Sequence, residues 1–260
     1  MNNVQLVIPM AGLGSRFANA GYKTLKPLIP IHGRPMISVV LANLMSPSIS
    51  HVILVCQRET MESVDLRSLA NLGHAQLTIL CVDAITDGPA GTLEVAKPAL
   101  NMNDPLVVAN SDQYIDASLE DFYADLVYAR FDGEILAMRD NDPKWSFART
   151  DDEGLLLEVK EKVVISDLAT VGIYGFATAG LAFAAIQKMR DAGDRTNGEY
   201  YVGPCYNYLI EASKRVLVRD LGAVSDVMHG LGIPEDLEFF LANPVSNRAA
   251  RATGLSDAHS

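Results

Sequence analysis

The stretch VQLVIPMAGLGSRF, residues 4–17, decides how the whole chain is interpreted and is the most informative segment of the sequence. Its first part, Val4–Pro9, is a short, mostly apolar run of the kind that forms a buried strand. The run leads directly into a Gly-x-Gly turn at Gly12 and Gly14. Glycines in such a turn let backbone N–H groups approach phosphate oxygens without an intervening Cβ. The stretch therefore predicts a strand followed by an anion-binding loop.

Two cations follow the glycine turn and narrow the kind of anion it would bind. Arg16 lies two residues after Gly14, and Lys26 lies ten residues after Arg16. A guanidinium fork and a lysine charge beside a cradle of N–H groups suit a polyphosphate. Phe17 stands where a dinucleotide fingerprint needs its third glycine, and no Gly-Lys-Ser/Thr follows as in a Walker A loop. A tight turn with two solvated cations is the alternative that the spacing leaves open.

The composition of the 260-residue chain is that of an ordinary globular protein, with 49% hydrophobic and 20% charged residues. The formal net charge of -11 argues against binding to nucleic acid or to an anionic membrane, because phosphate-rich surfaces are held by basic side chains. No apolar run approaches the roughly 20 residues of a membrane span, and the start of the sequence lacks the basic region of a signal peptide. Three widely spaced cysteines predict buried, reduced thiols. We therefore expect a cytoplasmic protein.

Short β-rich runs alternate with helix-like segments in the first half of the chain, and this rhythm predicts βαβ units and a mostly parallel sheet. Ligands bind such sheets beyond the carboxyl ends of the strands, so the loops after these strands should converge on one crevice. The predicted strands are Val4–Pro9, His51–Cys56, Gln76–Val82 and Pro105–Ala109, with helices at Pro35–Met45, Glu59–Leu72 and Thr92–Leu100.

The second half of the chain mixes helices with strands, some of them antiparallel, and no linker separates it from the first half. We therefore expect one continuous α/β domain over residues 1–245 and a frayed polar tail over residues 246–260. The strands predicted here are Gly133–Met138, Leu155–Val159, Val171–Phe176 and Val216–Asp220, with helices at Leu181–Ala192, Val202–Ala212 and Pro234–Ala242.

The segments AGLGSRF and LKPLIPIHGRPMI, residues 11–17 and 25–37, together resemble the signature of the sugar-phosphate nucleotidyltransferases. The likeness spans about residues 3–242 and is strongest to short bacterial members linked to capsule and surface-polysaccharide synthesis. It implies an α/β, Rossmann-like (GT-A-like) fold, in which a mixed, mostly parallel sheet is flanked by helices and carries a small acceptor-binding lobe. Residues up to about 120 would bind a nucleotide, and residues from about 121 to 245 would bind the acceptor.

The resemblance also implies a reaction. An NTP would donate its NMP to a phosphorylated sugar or a similar small phosphorylated acceptor, with Mg²⁺ as cofactor and pyrophosphate as the second product. A homodimer is possible, whereas neither nucleic acid nor a membrane is expected as a partner. The catalytic roles would fall on Arg16, Lys26, Asp112 and Lys162, with Asp112 as the metal ligand. A strand-end carboxylate suits Mg²⁺, which prefers hard oxygen ligands, and a capping or turn aspartate is the alternative for Asp112.

The nucleotide-binding roles that the resemblance implies fall on the glycine loop and on later loops. Gln57 would read an edge of the base, or it is an exposed loop glutamine. The segment 87–92 would form a second nucleoside loop, or a plain turn with Thr92 as a helix cap. The residues assigned to the nucleotide are Ala11, Gly12, Leu13, Gly14, Ser15, Gln57, Gly88, Pro89, Ala90, Thr92 and Ser111.

Glu161 and Lys162 resemble the family's EEKP motif, whose lysine holds the acceptor phosphate, but Val163 replaces the proline. Lys160 is a second candidate for that role, and a solvated charge run is the alternative. The NGEYY stretch resembles an acceptor-binding segment, although its aromatic residues would serve equally in core packing. The residues assigned to the acceptor are Glu161, Gly172, Tyr174, Glu199 and Tyr201.

One departure from the family pattern concerns the metal. Many relatives carry a second metal-binding aspartate late in the chain, where this sequence has Gly230. Water would then complete the shell around the metal, or another acid such as Glu199 would substitute. Asp236 is predicted to be a first-turn helix acid, and His229 a structural histidine.

Three other functions share parts of this pattern. A GT-A type glycosyltransferase that uses an NDP-sugar shares the strand order, but Asn110-Ser111-Asp112 lacks the first acid of a DxD motif. A molybdenum-cofactor-type nucleotidyltransferase shares the glycine loop but would be shorter. A non-catalytic nucleotide-binding regulatory protein is compatible with the missing second acid.

Overall fold

A mixed sheet of nine strands runs through the described part of the molecule, and both halves of the chain contribute strands to it. The computed structural model describes residues 3–69 and 71–255, and no helix in these ranges has the length and apolar composition needed to cross a lipid bilayer. The strands are β1 (Val4–Met10), β2 (Pro30–Ile31), β3 (Arg34–Pro35), β4 (Ile49–Gln57), β5 (Gln76–Val82), β6 (Leu106–Ala109), β7 (Gln113–Ile115), β8 (Gly133–Arg139), β9 (Ser146–Thr150), β10 (Leu156–Glu161), β11 (Leu168–Phe176), β12 (Val216–Ala223) and β13 (Met228–Gly230). The helices are α1 (Ser15–Asn19), α2 (Met36–Leu44), α3 (Arg58–Ser63), α4 (Pro89–Ala96), α5 (Glu120–Val127), α6 (Ala179–Asp191), α7 (Cys205–Glu211), α8 (Val224–Val227), α9 (Pro234–Ala242) and α10 (Pro244–Ala252).

The strand order of the large sheet is β10-β9-β11-β6-β1-β4-β5, with β8 also paired to β11 and β12 paired to β8. Strands β6, β1, β4 and β5 are parallel to one another, as the alternation of strands and helices predicts. Strand β11 runs antiparallel to β6 and β8, and β10 runs antiparallel to β9. The mostly parallel sheet with its flanking helices confirms the predicted Rossmann-like α/β fold.

Strand β1 lies inside the sheet and is buried on both of its faces. Leu6 and Ile8 belong to the apolar layer that contains α2, whereas Val7 belongs to the layer that contains α4. Successive residues of a strand face opposite sides, so a strand covered on both sides must be apolar at consecutive positions. This is why the run that opens the sequence is continuous rather than alternating.

The ends of β1 and β6 lie side by side at one edge of the sheet, because the two strands pair in parallel. A small separate sheet, in which β7 pairs antiparallel with β13, ties the chain after β6 to the late segment 228–230. The amide N–H of Leu231 also donates to the carbonyl of Asp112, at 2.8 Å. Segments that are far apart in the sequence therefore meet beside the glycine loop.

One predicted helix is much shorter in the structure. The prediction places a helix over Glu59–Leu72, but α3 ends at Ser63 and a short 3-10 turn follows at Leu66–Leu69. Between them, the side chain of Asp65 accepts a hydrogen bond from the backbone N–H of Arg67, at 3.0 Å. The chain already leaves the helical conformation at Val64, which is extended, and the local side-chain bond of Asp65 starts a new turn instead of continuing α3. Strand β9 and helix α5 are elements that the prediction lacks.

The frayed tail expected from residue 246 is instead occupied by α10 over most of its described length. Asn243 caps this helix by accepting the backbone N–H of Val245, at 3.0 Å, and a proline fills its first position. Ser246 and Ala249 are buried, so small side chains let α10 pack against α2. Residues 256–260 of the expected tail lie outside the described ranges.

A buried ionic network joins β8, β12 and α5 away from the crevice. Glu134 is 1% exposed, and its Oε1 accepts a hydrogen bond from Arg219 at 2.5 Å. The same guanidinium donates to Asp125 at 2.7 Å, while Oε2 of Glu134 has no partner among the described residues. Burial raises the pKa of Glu134 to about 7, against the opposing hydrogen bond and charge of Arg219.

We expect Glu134→Gln to change how the stability of the protein depends on pH. A carboxyl whose pKa is raised on folding stabilises the fold fully below its unfolded pKa and loses that contribution as the pH rises to its folded pKa. For Glu134 this window runs from 4.5 to about 7. The wild type should therefore lose free energy of unfolding relative to Glu134→Gln across the window, as measured by urea unfolding at both ends. Replacement of the exposed Glu238 by glutamine serves as control. If the free energies of unfolding of the wild type and Glu134→Gln depend on pH in the same way, the raised pKa of Glu134 is contradicted.

Candidate active site

The glycine loop joins β1 to α1, and its shape depends on Gly14. This residue has a φ of +60°, and a Cβ there would lie 2.9 Å from the Cβ of Lys26. Glycine is therefore required both by the backbone conformation and by the close approach to the lysine. Phe17 is buried and packs edge-to-face on Tyr22, with ring centroids 5.1 Å apart. The residue that breaks the dinucleotide fingerprint thus anchors the loop to the core.

Lys26 and Asp112 form an ion pair at the centre of the crevice, with 2.5 Å between Nζ and Oδ2. Lys26 opens a 3-10 turn whose next residue, Pro27, is buried, and Asp112 follows β6. The two side chains are 19% and 28% exposed, so the pair remains accessible to a ligand. The fold therefore places the lysine predicted to bind phosphate against the carboxylate predicted to bind metal.

Two cavities meet at this ion pair. The larger has a volume of about 580 Å³ and the smaller a volume of about 300 Å³. A ligand in one cavity would reach a ligand in the other beside the ion pair, because the two cavities share five lining residues. These are Gly14, Lys26, Pro89, Asn110 and Asp112.

The larger cavity contains most of the residues predicted to bind the acceptor, together with part of the glycine loop. Of the predicted site residues, it is lined by Gly14, Ser15, Arg16, Lys26, Pro89, Asp112, Glu161, Lys162, Gly172, Tyr174 and Tyr201. Most of the predicted nucleotide residues lie in the smaller cavity, namely Ala11, Gly12, Gly14, Gly88, Pro89, Thr92 and Ser111. The smaller cavity also contains Glu199, which was predicted to bind the acceptor.

Three residues predicted to bind the nucleotide line neither cavity. Leu13 is 63% exposed, and Ala90 is buried with its amide N–H bonded to the carbonyl of Tyr200 at 3.0 Å. The Nε2 group of Gln57 donates to the carbonyl of Ala11 at 2.8 Å. Gln57 therefore holds the glycine loop in place in this structure, using one N–H of the amide that was predicted to read a base.

Lys162 reaches the larger cavity from an unusual backbone position, with a φ of +58°. Its Nζ donates to the hydroxyl of Tyr201 at 3.0 Å, and that hydroxyl donates to Glu199 at 2.7 Å. Positive φ values in residues other than glycine are uncommon and cluster at functional sites. Lys160, the second candidate for holding the acceptor phosphate, pairs instead with Glu158 at 3.4 Å and lines neither cavity.

Buried polar side chains line the larger cavity. Ser146 donates to the carboxylate of Glu161, and burial raises the pKa of Glu161. The hydroxyl oxygens of Tyr174 and Thr170 lie 3.1 Å apart. Gln113 is 3% exposed, and its Nε2 has no partner among the described residues. Gln113 was not among the residues predicted for the site, although it directly follows the predicted metal ligand, and that position was the available signal.

Arg190 on α6 fixes the segment 87–92, which was predicted to form a second nucleoside loop. It donates to both carboxylate oxygens of Asp87, at 2.7 and 2.8 Å, and to Glu94 at 2.8 Å. The hydrogen bond from Arg190 lowers the pKa of Asp87. A Cβ on Gly88, whose φ is +115°, would lie 2.6 Å from the carbonyl oxygen of Tyr200. No local pattern reveals this arrangement, because Arg190 and Asp87 are 103 positions apart.

The residues present fit a divalent cation that is held jointly by the protein and a phosphate. Within the described ranges, no group of three or more His, Cys, Asp or Glu side chains could hold a metal ion. Mg²⁺ often takes only one or two carboxylates and completes its shell with water and substrate phosphates. Asp112 offers a carboxylate at the junction of the cavities, and a Cβ on Gly232 would lie 3.0 Å from its Oδ2. Gly232 therefore keeps space open beside that oxygen.

Comparison with known proteins agrees with this geometry. The chain matches the family described as Nucleotidyl transferase over residues 6–214, which confirms the family that the N-terminal motif predicts. The comparison with curated proteins gave no match.

Three solved structures share the fold. The nucleoside-diphosphate-sugar pyrophosphorylase from Vibrio cholerae RC9 superposes with a TM-score of 0.80 at 24% identity, over 92% of this chain and 100% of that one. A UDP-glucose pyrophosphorylase complexed with UDP-glucose gives 0.76 at 16% identity, over 96% and 99%. A Bacillus anthracis structure described as a glucose-1-phosphate thymidylyltransferase, in complex with sucrose, gives 0.74 at 19% identity, over 99% and 96%. With its sequence match over residues 6–214, the chain belongs to the nucleotidyl transferase family.

Proposed function

We propose that the chain transfers NMP from an NTP to a phosphorylated sugar, or to a similar small phosphorylated acceptor, and releases pyrophosphate. The observation that carries this proposal is the junction of two cavities at Lys26 and Asp112. The NTP would occupy the smaller cavity with its phosphates at the glycine loop, and the acceptor would occupy the larger one. The names of two structural neighbours, which refer to glucose 1-phosphate and UDP-glucose, support a sugar phosphate as the acceptor.

The proposed reaction is a direct displacement at the α-phosphorus of the NTP. An oxygen of the acceptor phosphate forms a new bond to that phosphorus. The bond from the α-phosphorus to the oxygen that bridges it to the β-phosphorus breaks, and its electron pair leaves with pyrophosphate. A phosphate monoester is largely ionised near neutral pH, so the reaction requires no general base. Its rate then depends on positioning and on the neutralisation of charge.

Different charged residues of the site would position the substrates and neutralise their charge. Arg16 and Lys26 would stabilise the negative charge that develops on the leaving pyrophosphate. Lys162 would hold the acceptor phosphate against its repulsion by the NTP. Mg²⁺ with Asp112 as a protein ligand would neutralise further phosphate charge. Glu161 and Gln113 would bind polar groups of the acceptor, since both lie buried at the larger cavity.

The resemblance of the N-terminal motif to short bacterial members of the family supports a place for this reaction in the cytoplasm. We assign it to the synthesis of precursors for surface polysaccharides.

Replacing Lys162 by methionine should weaken the use of the acceptor without affecting the nucleotide. Loss of a hydrogen bond to a charged group typically removes about 1.5–3 kcal/mol, so we expect kcat/KM for the acceptor to fall by roughly 10- to 150-fold. Steady-state kinetics with the acceptor as the varied substrate measure this change, and nucleotide titration should give an unaltered Kd. Lys160→Met is the matched control, because Lys160 lies two residues away and lines neither cavity. Equal effects of the two variants would refute the role of Lys162.

A release assay tests the proposed function as a whole. The protein is incubated with Mg²⁺, each of CTP, GTP, UTP and dTTP, and a panel of sugar phosphates and other phosphorylated acceptors. We expect pyrophosphate only when one particular NTP and one class of acceptor are both present. In a parallel incubation with NDP-sugars, release of an NDP without pyrophosphate would indicate a glycosyltransferase instead. Nucleotide binding without any release would indicate a regulatory protein.

A further inference from the structure

A carboxylate that the proposed mechanism does not use faces the larger cavity. Asp236 lies in the first turn of α9, as the sequence predicts, and lines that cavity. No hydrogen bond or ion pair joins its side chain to any residue that the structure describes. Lys26 pairs with Asp112 at 2.5 Å, whereas Asp236 has no such counter-ion among residues 3–69 and 71–255.

Two glycines make room for these carboxylates. A Cβ on Gly230 would lie 2.9 Å from Oδ2 of Asp236, and a Cβ on Gly232 would lie 3.0 Å from Oδ2 of Asp112. Neither glycine has a positive φ, so the backbone conformation does not require glycine at these positions. A side chain at either position would instead fill the space beside a carboxylate oxygen.

The backbone fixes this arrangement from both sides. Gly230 pairs with Gln113 across the small sheet formed by β13 and β7. The amide N–H of Leu231 donates to the carbonyl of Asp112 at 2.8 Å. The turn that carries Asp112 and the segment that leads into α9 are therefore held together. Both carboxylates approach the same three-residue segment, at residues 230–232.

We propose that Asp236 supplies the second carboxylate for the divalent cation, in the space left open by Gly230. This inference rests on the proposed function, in which Asp112 is the first ligand. Asp112 already has Lys26 as a counter-ion, so Asp236 is the carboxylate whose charge a bound cation would neutralise, and hard oxygen ligands suit Mg²⁺ or Mn²⁺. In this chain, Asp236 in the first turn of α9 would take the place of the metal-binding aspartate that many relatives carry at the position of Gly230 in β13.

Mn²⁺ binding tests this inference without any need for catalysis. The metal alone is titrated into the full-length protein, and the free ion is followed by its EPR signal. We expect Asp236→Ala to weaken Mn²⁺ binding roughly tenfold, as does Asp112→Asn, because each removes a ligand. Glu235→Ala should leave binding unchanged. It is a matched control, since Glu235 lies in the same helix turn but is exposed and lines neither cavity.

A second variant tests the position as well as the charge. Gly230→Asp combined with Asp236→Ala moves the carboxylate to the strand and removes the side chain that a new Cβ would meet. We expect this double variant to recover Mn²⁺ binding to within about threefold of the wild type. Wild-type affinity in Asp236→Ala, no recovery in the folded double variant, or no Mn²⁺ binding by the wild type at millimolar metal would overturn the inference. Metal binding that depends on both acids in a protein that releases no pyrophosphate would instead overturn the proposed function alone.

Discussion

Lys26→Ala should lower kcat/KM for pyrophosphate release by about 100- to 1,000-fold, which is the effect of losing one preorganised group that stabilises transition-state charge. Lys26 lies at the junction of both cavities and is already held in place by Asp112 at 2.5 Å. Its charge is therefore positioned before the substrates arrive, at the place where the proposed reaction would develop negative charge on the leaving group. Stopped assays of pyrophosphate release with both substrates varied would measure the change.

The same substitution should have little effect on folding. Exposed and partly exposed ion pairs contribute only about 0–1 kcal/mol, and both side chains of this pair retain contact with solvent. We expect the urea unfolding curves of Lys26→Ala and the wild type to nearly coincide. Lys23→Ala is the control, since Lys23 is exposed and lines neither cavity. A Lys26→Ala protein that is as active as Lys23→Ala would remove the lysine from the mechanism.

Gly172→Ala should produce the second large effect, a loss of about 2–4 kcal/mol in the free energy of unfolding. Gly172 has a φ of +72° in a part of β11 where its pairing with β8 shifts register. A Cβ there would lie 2.2 Å from Nδ2 of Asn110 and 2.7 Å from Oε1 of Gln113. Both neighbours line the larger cavity, so the substitution should weaken acceptor use together with stability.

Gly33→Ala separates the two causes of this effect. Gly33 has a φ of +79°, but no atom lies within 4 Å of a Cβ built there. Its replacement should lose only the backbone contribution, about 1 kcal/mol. Urea unfolding of both variants measures the difference, which isolates the clash with Asn110 and Gln113. If Gly172→Ala and Gly33→Ala unfold at the same denaturant concentration, the tight packing described around Gly172 is wrong.

The fold was predictable because its signals are local. A strand buried between two layers of helices must be continuously apolar, and β1, β4 and β6 each carry such a run. The glycine loop was equally visible, since a positive φ at Gly14 requires a particular residue type at a particular place. Helix α10 was not visible, because its polar surface and small buried residues resemble a disordered tail until α2 is present to pack against.

The candidate site was predictable only in part, for a different reason. Individual residues such as Lys26 and Asp112 follow from the motif, but which cavity a side chain enters depends on distant partners. Glu199 lies in the smaller cavity rather than with the predicted acceptor residues. Gln57 bonds the glycine loop at 2.8 Å and lines neither cavity. The space that Gly230 leaves for Asp236 depends on tertiary contacts that no local spacing encodes.

The central claim is that the bond between the α- and β-phosphates of an NTP is broken by an acceptor phosphate. The most direct test follows two samples of the same NTP, labelled at the α- or the γ-phosphorus, through incubation with Mg²⁺ and a sugar phosphate. We predict that the α-label enters the NDP-linked product and that the γ-label appears in pyrophosphate, in equal amounts. Labels that remain together, or a γ-label released as inorganic phosphate while the α-label stays in the NDP, would contradict the account.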